Sequence, residues 1–142
     1  CLGNAQVVSR LKTLKSNMDY GMFLPIQQAA IAAITGDQSC VSETRQAYEL
    51  RRNLICDGFT SIGWPMEKPA ATMFIWAKIP DGFPSSEAFV MELAETSGVI
   101  VTPGSAFGPS GEGYVRLAMV QGEDEIRSAV QAVDRCGILR EH

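Results

Sequence analysis

The chain has 142 residues, of which 46% are apolar and 20% charged, and its net charge is -4. This length supports one ordinary hydrophobic core or part of a larger one, and the apolar runs are too short to cross a membrane, so no membrane partner is expected. An acidic chain with scattered basic residues repels phosphate backbones, which excludes nucleic acid as an expected partner, and one histidine with four widely spaced cysteines gives no pattern for a metal site.

Two helices are predicted in the first quarter of the chain. Apolar residues recur at helical spacing from Ala5 to Leu14, directly after Asn4, which suits an N-cap. Pro25 suits the first turn of a second helix that is rich in alanine and ends at Gly36. The favoured interpretation of its alanine face is ordinary core packing, not ligand binding.

Helices and strands alternate over the rest of the chain. A third helix is predicted to begin at Ser42, with Arg51 and Arg52 in solvent and with a buried face formed by Ala47, Leu50, Leu54 and Phe59. Strands are predicted over 71–79, 99–101 and 114–120, and further helices from Ser85 to Gly98 and from Gly122 past Val133. This order predicts an α/β domain in which helices pack on a small sheet.

The segment from Pro103 to Val120 is the most informative part of the sequence. Its glycine-rich loop leads into a strand whose alternation places Val115 and Leu117 on a core face and Arg116 on the opposite face. A guanidinium keeps its proton, and its planar fork fits a carboxylate through two parallel hydrogen bonds. From the residues alone two interpretations stay open, because Arg116 either binds a ligand carboxylate or pairs with a protein carboxylate or with solvent.

This segment resembles the C-terminal signature of the class I and II pyridoxal-phosphate aminotransferases. The matching positions are Pro103, Gly104, Phe107, Gly108, Gly113, Val115 and Arg116. Other positions are similar to the branch that contains glutamate–pyruvate and LL-diaminopimelate aminotransferases, namely Lys15-Ser16, Asp19-Tyr20-Gly21, Phe23, Pro25, Gln27, Ala29, Ala30 and Trp76-Ala77-Lys78-Ile79-Pro80. The resemblance covers nearly the whole chain in order.

The resemblance implies a particular fold and a particular activity. Residues 37–142 would form the small C-terminal α/β domain of a fold type I enzyme, a small sheet with helices packed on it, and residues 1–36 would be the tail of the large cofactor-binding domain. The enzyme would be a cytoplasmic homodimer that moves an amino group between an amino acid, glutamate or alanine, and a 2-oxo acid. LL-diaminopimelate is the alternative substrate.

The same resemblance implies that Arg116 binds the α-carboxylate of the substrate. It assigns no cofactor-binding residue to this chain. In family order the lysine that forms the Schiff base with pyridoxal 5'-phosphate, together with the other residues that hold this cofactor, precedes Cys1. None of the four lysines of the chain follows a serine, as the family's cofactor lysine does. The chain is therefore predicted to be the C-terminal part of the enzyme and to be inactive alone.

A further implication concerns the loop after the first helix. In the aspartate branch of the family, an arginine shortly before a Ser-Asn pair reaches the active site of the neighbouring subunit. Ser16-Asn17 matches that pair, and Lys12 stands in place of the arginine, which argues against strict recognition of dicarboxylates. Lys12, Asn17 and Tyr20 are the resulting candidates for a substrate site or a neighbouring-subunit site.

Two functions from other classes stay open. The first is a free-standing amino-acid-binding or regulatory module, in which Arg116 binds a carboxylate without any reaction. The second is a dimerisation segment, in which the alanine-rich helix near Pro25 is the functional part.

Overall fold

The computed structural model describes residues 2–19 and 21–140 and divides into two compact units, Cys1–Ser42 and Glu43–His142. In the first unit, helix α1 covers Ala5–Met18. The Asn4 side chain accepts hydrogen bonds from the backbone of Gln6 and Val7, so the predicted N-cap is confirmed. The helix runs four residues past its predicted end because its last turn accommodates polar side chains that hydrogen-bond within the helix.

Helix α2 covers Leu24–Thr35, with Pro25 in its first turn and Gly36 at its end, as predicted. Its alanine face, in contrast, does not form a core. Neither α1 nor α2 contains a buried residue, and α2 exposes Ile31 and Ile34 as well as its alanines. Within the described residues of this unit, no layer of structure covers these apolar side chains, so the predicted core packing is not seen in this chain.

The second unit contains a three-stranded antiparallel sheet. Its elements in chain order are α3 (Ser39–Ser61, which begins in the first unit), β1 (Phe74–Lys78), α4 (Ser86–Ser97), β2 (Thr102–Pro103), two 3-10 turns (Gly104–Phe107 and Pro109–Gly111), β3 (Tyr114–Ala118) and α5 (Glu123–Cys136). The strand order is β1-β3-β2, so β3 is the central strand. No helix formed by the described residues is long and apolar enough to span a bilayer.

The core of this unit lies on one face of the sheet and confirms the predicted strand alternation. The side chains of β1 and β3 that point to this face are buried, and both α4 and α5 cover it with apolar residues. Each Val, Leu, Ile, Phe or Met side chain among them contributes roughly 1.5–3 kcal/mol when fully buried. The main members are Ile75, Ala77, Phe89, Leu93, Val115, Leu117, Met119, Ile126 and Val133.

The caps of α4 and α5 also agree with the sequence. Ser85 is the N-cap of α4, and its hydroxyl accepts a hydrogen bond from the backbone of Ala88 at 3.1 Å. Gly98 ends α4 in the left-handed conformation that favours glycine. Gly122 precedes α5, whose first turn carries three acidic residues where the helix dipole favours negative charge.

All three predicted strands have different bounds in the structure, and the third ends at Ala118 and not at residue 120. Residues 99–101 form no strand, and the pairing begins instead at Thr102–Pro103, where β2 faces Arg116 and Val115 of β3. The apolar run signals extended backbone, but pairing with the central strand decides where the ladder forms. The first strand begins at Phe74 and not at residue 71, since Thr72 has a left-handed φ of 80° that interrupts the extended run.

Helix α3 corrects two further expectations. It begins at Ser39 and not at Ser42, and its buried residues lie only in its C-terminal half, at Ile55, Cys56 and Phe59. Ala47 and Leu50 are expected in the core but are exposed, whereas Tyr48 and Leu54 are half-buried and pack against it.

The two adjacent arginines of α3 are half-buried instead of fully solvated. Arg51 donates a hydrogen bond to the carbonyl of Met119 at 3.4 Å, and Arg52 donates one to the carbonyl of Pro69 at 3.3 Å. Their long side chains therefore tie α3 to neighbouring backbone, which helical spacing alone could not reveal.

Candidate carboxylate-binding site

Arg116 lies in the middle of the central strand. In the sheet register it faces Trp76 of β1 on one side and Thr102 of β2 on the other. Its neighbours Val115 and Leu117 are buried on the core side, so the Arg116 side chain projects from the opposite face of the sheet. The paired strands on both sides hold its backbone in a fixed position.

Two aromatic rings contact the guanidinium of Arg116. Its central carbon lies 4.2 Å from the centre of the Phe74 ring and 4.5 Å from the centre of the Phe107 ring. A cation this close to a ring face gains about 0.5–2 kcal/mol, and the contact also restricts how the planar group can turn. Phe74 comes from β1, whereas Phe107 comes from the first 3-10 turn of the glycine-rich loop.

Two more aromatic residues extend this surface. Trp76 stacks on Tyr114 with ring centres 5.8 Å apart, and its ring edge meets Phe107 at the same distance. Trp76, Phe107 and Tyr114 are 43%, 51% and 38% exposed, so the surface is open to solvent. We call Arg116 and the four rings of Phe74, Trp76, Phe107 and Tyr114 the arginine–aromatic face. A cation set among partly exposed rings is typical of a binding surface.

The guanidinium of Arg116 keeps hydrogen-bonding capacity for a ligand. Its Nε atom is buried and has no hydrogen-bond partner. Among residues 2–19 and 21–140, no carboxylate forms an ion pair with Arg116, so the described residues do not support pairing with a protein carboxylate. A buried donor without an acceptor costs about 1–3 kcal/mol, which makes a purely structural role for this arginine expensive.

The glycine-rich loop that carries Phe107 depends on close backbone contact. A Cβ atom added to Gly104 would lie 2.0 Å from the carbonyl oxygen of Gly111, and one added to Gly111 would lie 2.1 Å from that of Gly104. Gly108 and Gly113 also have left-handed φ angles of 112° and 81°. These glycines are therefore required by the shape of the loop, and the loop shape fixes where Phe107 lies.

Sequence reasoning missed Glu112, which fastens this loop to α4. Its carboxylate accepts hydrogen bonds from the backbone N–H of Ser86 at 2.6 Å, from the Ser86 hydroxyl at 3.1 Å and from the backbone N–H of Gly113 at 2.9 Å. The bond from the Ser86 backbone is the main reason why the pKa of Glu112 is lowered, and the bond from Gly113 adds to it. No local signal marks this contact, because Glu112 and Ser86 are 26 residues apart.

The other predicted site residues lie in the first unit. Lys12 and Asn17 are exposed on α1, and Asn17 donates a hydrogen bond to the Thr13 carbonyl of its own helix at 2.8 Å. Lys12 also lines a hollow of about 610 Å³ beside the loop that follows α1. Tyr20 is outside the described residues. The assignment of these three residues to a substrate or neighbouring-subunit site stays a prediction.

The lysines of this chain do not fit the Schiff-base role that pyridoxal phosphate requires. That role needs a lysine held beside the cofactor and able to lose its proton. Lys15, Lys68 and Lys78 instead pair with nearby carboxylates at 2.7–3.0 Å on the surface, and Lys12 is exposed. The described residues also contain no group of three or more His, Cys, Asp or Glu side chains that could hold a metal ion.

Comparisons with known proteins agree on one family. The family model described as "Aminotransferase class I and II" matches residues 1–133. The LL-diaminopimelate aminotransferase of Moorella thermoacetica is 42% identical over 133 residues, which are 94% of this chain and 34% of that protein. The glutamate-pyruvate aminotransferase AlaC of Escherichia coli is 41% identical over 134 residues, which are 93% of this chain and 32% of that protein.

A solved structure gives the same result for the fold. The probable N-succinyldiaminopimelate aminotransferase of Thermus thermophilus matches with a TM-score of 0.82 and 26% identity, over 95% of this chain and 36% of that one. The chain therefore spans about a third of the length of the relatives it matches.

Proposed function

Because the chain belongs to the class I and II aminotransferases, we propose that it acts as the C-terminal part of a pyridoxal-phosphate-dependent aminotransferase. The resemblance first seen in the sequence and the expected fold type I α/β class are both confirmed by the family and structure matches. The chain covers only a third of the length of its relatives, so the proposed activity of the whole protein rests on the site and on those relatives together.

The proposed reaction moves an amino group between glutamate or alanine and a 2-oxo acid, with pyruvate as the acceptor that forms alanine. The relative from Escherichia coli named as a glutamate-pyruvate aminotransferase supports this choice. The relative from Moorella thermoacetica named as an LL-diaminopimelate aminotransferase supports LL-diaminopimelate as the alternative substrate. Their identities to this chain differ by one percentage point, so identity does not decide between them.

The observation that carries the proposal is the state of Arg116. Its guanidinium is oriented by the rings of Phe74 and Phe107 and has no carboxylate partner among the described residues. We assign it to the α-carboxylate of the amino acid, which a planar fork grips through two parallel hydrogen bonds. A fixed carboxylate limits how the substrate can turn, and such positioning contributes several kcal/mol to catalysis.

The proposed cofactor, pyridoxal 5'-phosphate, needs residues beyond this chain. The described lysines are exposed and mostly ion-paired, so none of them fits the Schiff-base role. We therefore expect the 142-residue chain to be inactive by itself and to supply the substrate anchor to the whole enzyme. The whole enzyme is proposed to be a homodimer because the family resemblance implies one, and its cytoplasmic location stays a prediction.

The test is an assay of the full-length protein that contains this chain, supplied with pyridoxal phosphate. Alanine formed from glutamate and pyruvate is measured beside glutamate formed from LL-diaminopimelate and 2-oxoglutarate, and the faster reaction identifies the substrate. The 142-residue chain is assayed in parallel and is expected to give no product. Absence of turnover by the full-length protein with both pairs would refute the proposed reactions. Amino-acid binding by the chain without turnover by the full-length protein would favour the binding-module alternative.

A further inference from the structure

The two rings that contact Arg116 are supported in different ways. Phe74 belongs to β1, which pairs with β3 along five residues, so the sheet itself holds this ring. Phe107 lies in the loop between β2 and β3, outside the strand ladder. Its position over the guanidinium therefore depends on whatever fixes that loop.

The loop is joined to the buried N-terminal turn of α4 by side-chain hydrogen bonds. Ser86 is fully buried, and both its backbone N–H and its hydroxyl donate to the Glu112 carboxylate. The Ser86 hydroxyl also accepts a hydrogen bond from the backbone N–H of Ser105 at 3.4 Å and lies 3.3 Å from the Ser105 hydroxyl. Ser105 and Glu112 lie on either side of Phe107, so these bonds hold both arms of the loop to one helix terminus.

We propose that Glu112 is a positioning residue for substrate-carboxylate recognition, because it fastens the glycine-rich loop to α4 and so keeps Phe107 against Arg116. The proposal rests on the proposed function, in which Arg116 binds the α-carboxylate. Glu112 itself does not touch the substrate and acts only through the loop and its phenylalanine.

An ionised carboxylate suits this task better than an amide. The Glu112 carboxylate is the acceptor in all three hydrogen bonds, and two of them go to the same oxygen, Oε1. An ionised carboxylate is acceptor-only on both oxygens, whereas a glutamine at the same position has one oxygen and an NH₂ group that repels the donors it faces. The lowered pKa of Glu112 agrees with this arrangement. The N-terminal end of α4 further favours the negative charge.

The experiment compares Glu112→Gln with Ser85→Ala in the full-length enzyme. Ser85 caps the same helix through its bond to Ala88 and makes no bond to the loop, so its variant weakens α4 without releasing Phe107. We expect Glu112→Gln to raise the KM for the amino acid about 3- to 10-fold, the range that one cation–π contact represents, with a smaller change in kcat. Ser85→Ala is expected to lower the Tm and leave KM unchanged.

Phe107→Leu provides the second arm. If Glu112 acts through this ring, Phe107→Leu raises KM in the same way, and the double variant shows no further increase. An unchanged KM in Glu112→Gln overturns the proposal, and so does a rise equal to that of Ser85→Ala. Arg116→Ala distinguishes failure of the positioning role of Glu112 from failure of the carboxylate anchor itself. If Arg116→Ala raises KM and Glu112→Gln does not, only the positioning role fails, whereas an unchanged KM in Arg116→Ala removes the carboxylate anchor and the positioning role with it.

Discussion

At the level of single residues, Arg116 differs from other arginines of the chain in its partners. Arg52, Arg127 and Arg140 each pair with a nearby carboxylate, as surface arginines commonly do. Arg116 contacts two aromatic rings and has a buried Nε without an acceptor. Such a residue is costly for folding alone, so its main contribution is expected in binding and not in stability.

Substitution of Arg116 by alanine in the full-length enzyme is therefore expected to raise the KM for the amino acid. Hydrogen bonds to a charged group are worth about 1.5–3 kcal/mol each, so kcat/KM is expected to fall roughly 100-fold or more. Steady-state kinetics measure both constants. Arg127→Ala is the matched control, because it removes an exposed arginine that pairs weakly with Glu123 at 4.0 Å and is expected to change kcat/KM less than twofold. Equal kinetics for Arg116→Ala and wild type would contradict the anchor.

A second prediction concerns the contact between Gly104 and Gly111. Gly104→Ala is expected to destabilise the chain by about 1–3 kcal/mol or more, because the new methyl group meets backbone oxygens of Gly111 and Tyr114 at 2.0 and 2.7 Å, and backbone cannot move as a side chain does. Thermal unfolding followed by circular dichroism measures the effect. Gly3→Ala is the control, since nothing lies within 4 Å of the added atom there. Equal Tm values for the two variants would show that the loop relaxes freely.

Which parts of the site the sequence can predict depends on how far apart in the chain the contacting residues lie. Strand alternation was enough to place Arg116 opposite the core face, because that pattern repeats every two residues. The contact of Phe74 with Arg116 and the bond between Ser86 and Glu112 join residues that are far apart in the chain, and Phe107 reaches Arg116 only through the folded shape of the loop between them. Only the folded arrangement brings them together, so no local pattern predicts them.

At the level of secondary structure, the same distinction separates correct from incorrect bounds. The caps of α1 and α4 at Asn4 and Ser85 follow from local chemistry and were predicted correctly. The edge strand β2 was misplaced onto 99–101, since its ladder is set by pairing with β3 and not by its own apolar residues. The N-terminus of α4 combines both kinds of information, because its own Ser85 caps one backbone N–H and the distant Glu112 caps another.

This second cap predicts a pH-dependent contribution to stability. The folded pKa of Glu112 is lowered, so its stabilisation is complete above the ordinary glutamate pKa of about 4.3 and is lost as the pH falls through the lower folded value. Wild type is therefore expected to have a higher Tm than Glu112→Gln at pH 7, and the difference is expected to shrink below about pH 4. Scanning calorimetry of both proteins from about pH 7 to about pH 3 measures it. A difference that stays constant or grows at acid pH would contradict the role of the charge.

At the level of the whole molecule, the two units bury their apolar residues to very different extents. The second unit encloses a core shared by its sheet and helices, whereas α1 and α2 of the first unit contain no buried residue. The sequence pattern could predict that the alanine-rich helix has an apolar face, but it could not indicate what covers that face. Isoleucines left open on a helix are unfavourable in water. In the whole protein, either the two thirds that lie beyond this chain or the second subunit of the proposed homodimer would cover them.

Ile34, which is 77% exposed on α2, tests whether the second subunit covers this face. Ile34→Glu in the full-length protein is expected to weaken the dimer, because it removes an apolar side chain worth about 1.5–3 kcal/mol and places a charge in an apolar contact. The apparent dissociation constant should rise roughly 100-fold or more, measured by size-exclusion chromatography with light scattering over a dilution series. Gln28→Glu adds the same charge to the same helix about 120° away and is expected to leave the dimer intact. A dimer that persists in Ile34→Glu, or one that both variants dissociate equally, would show that this face of α2 does not form the subunit interface.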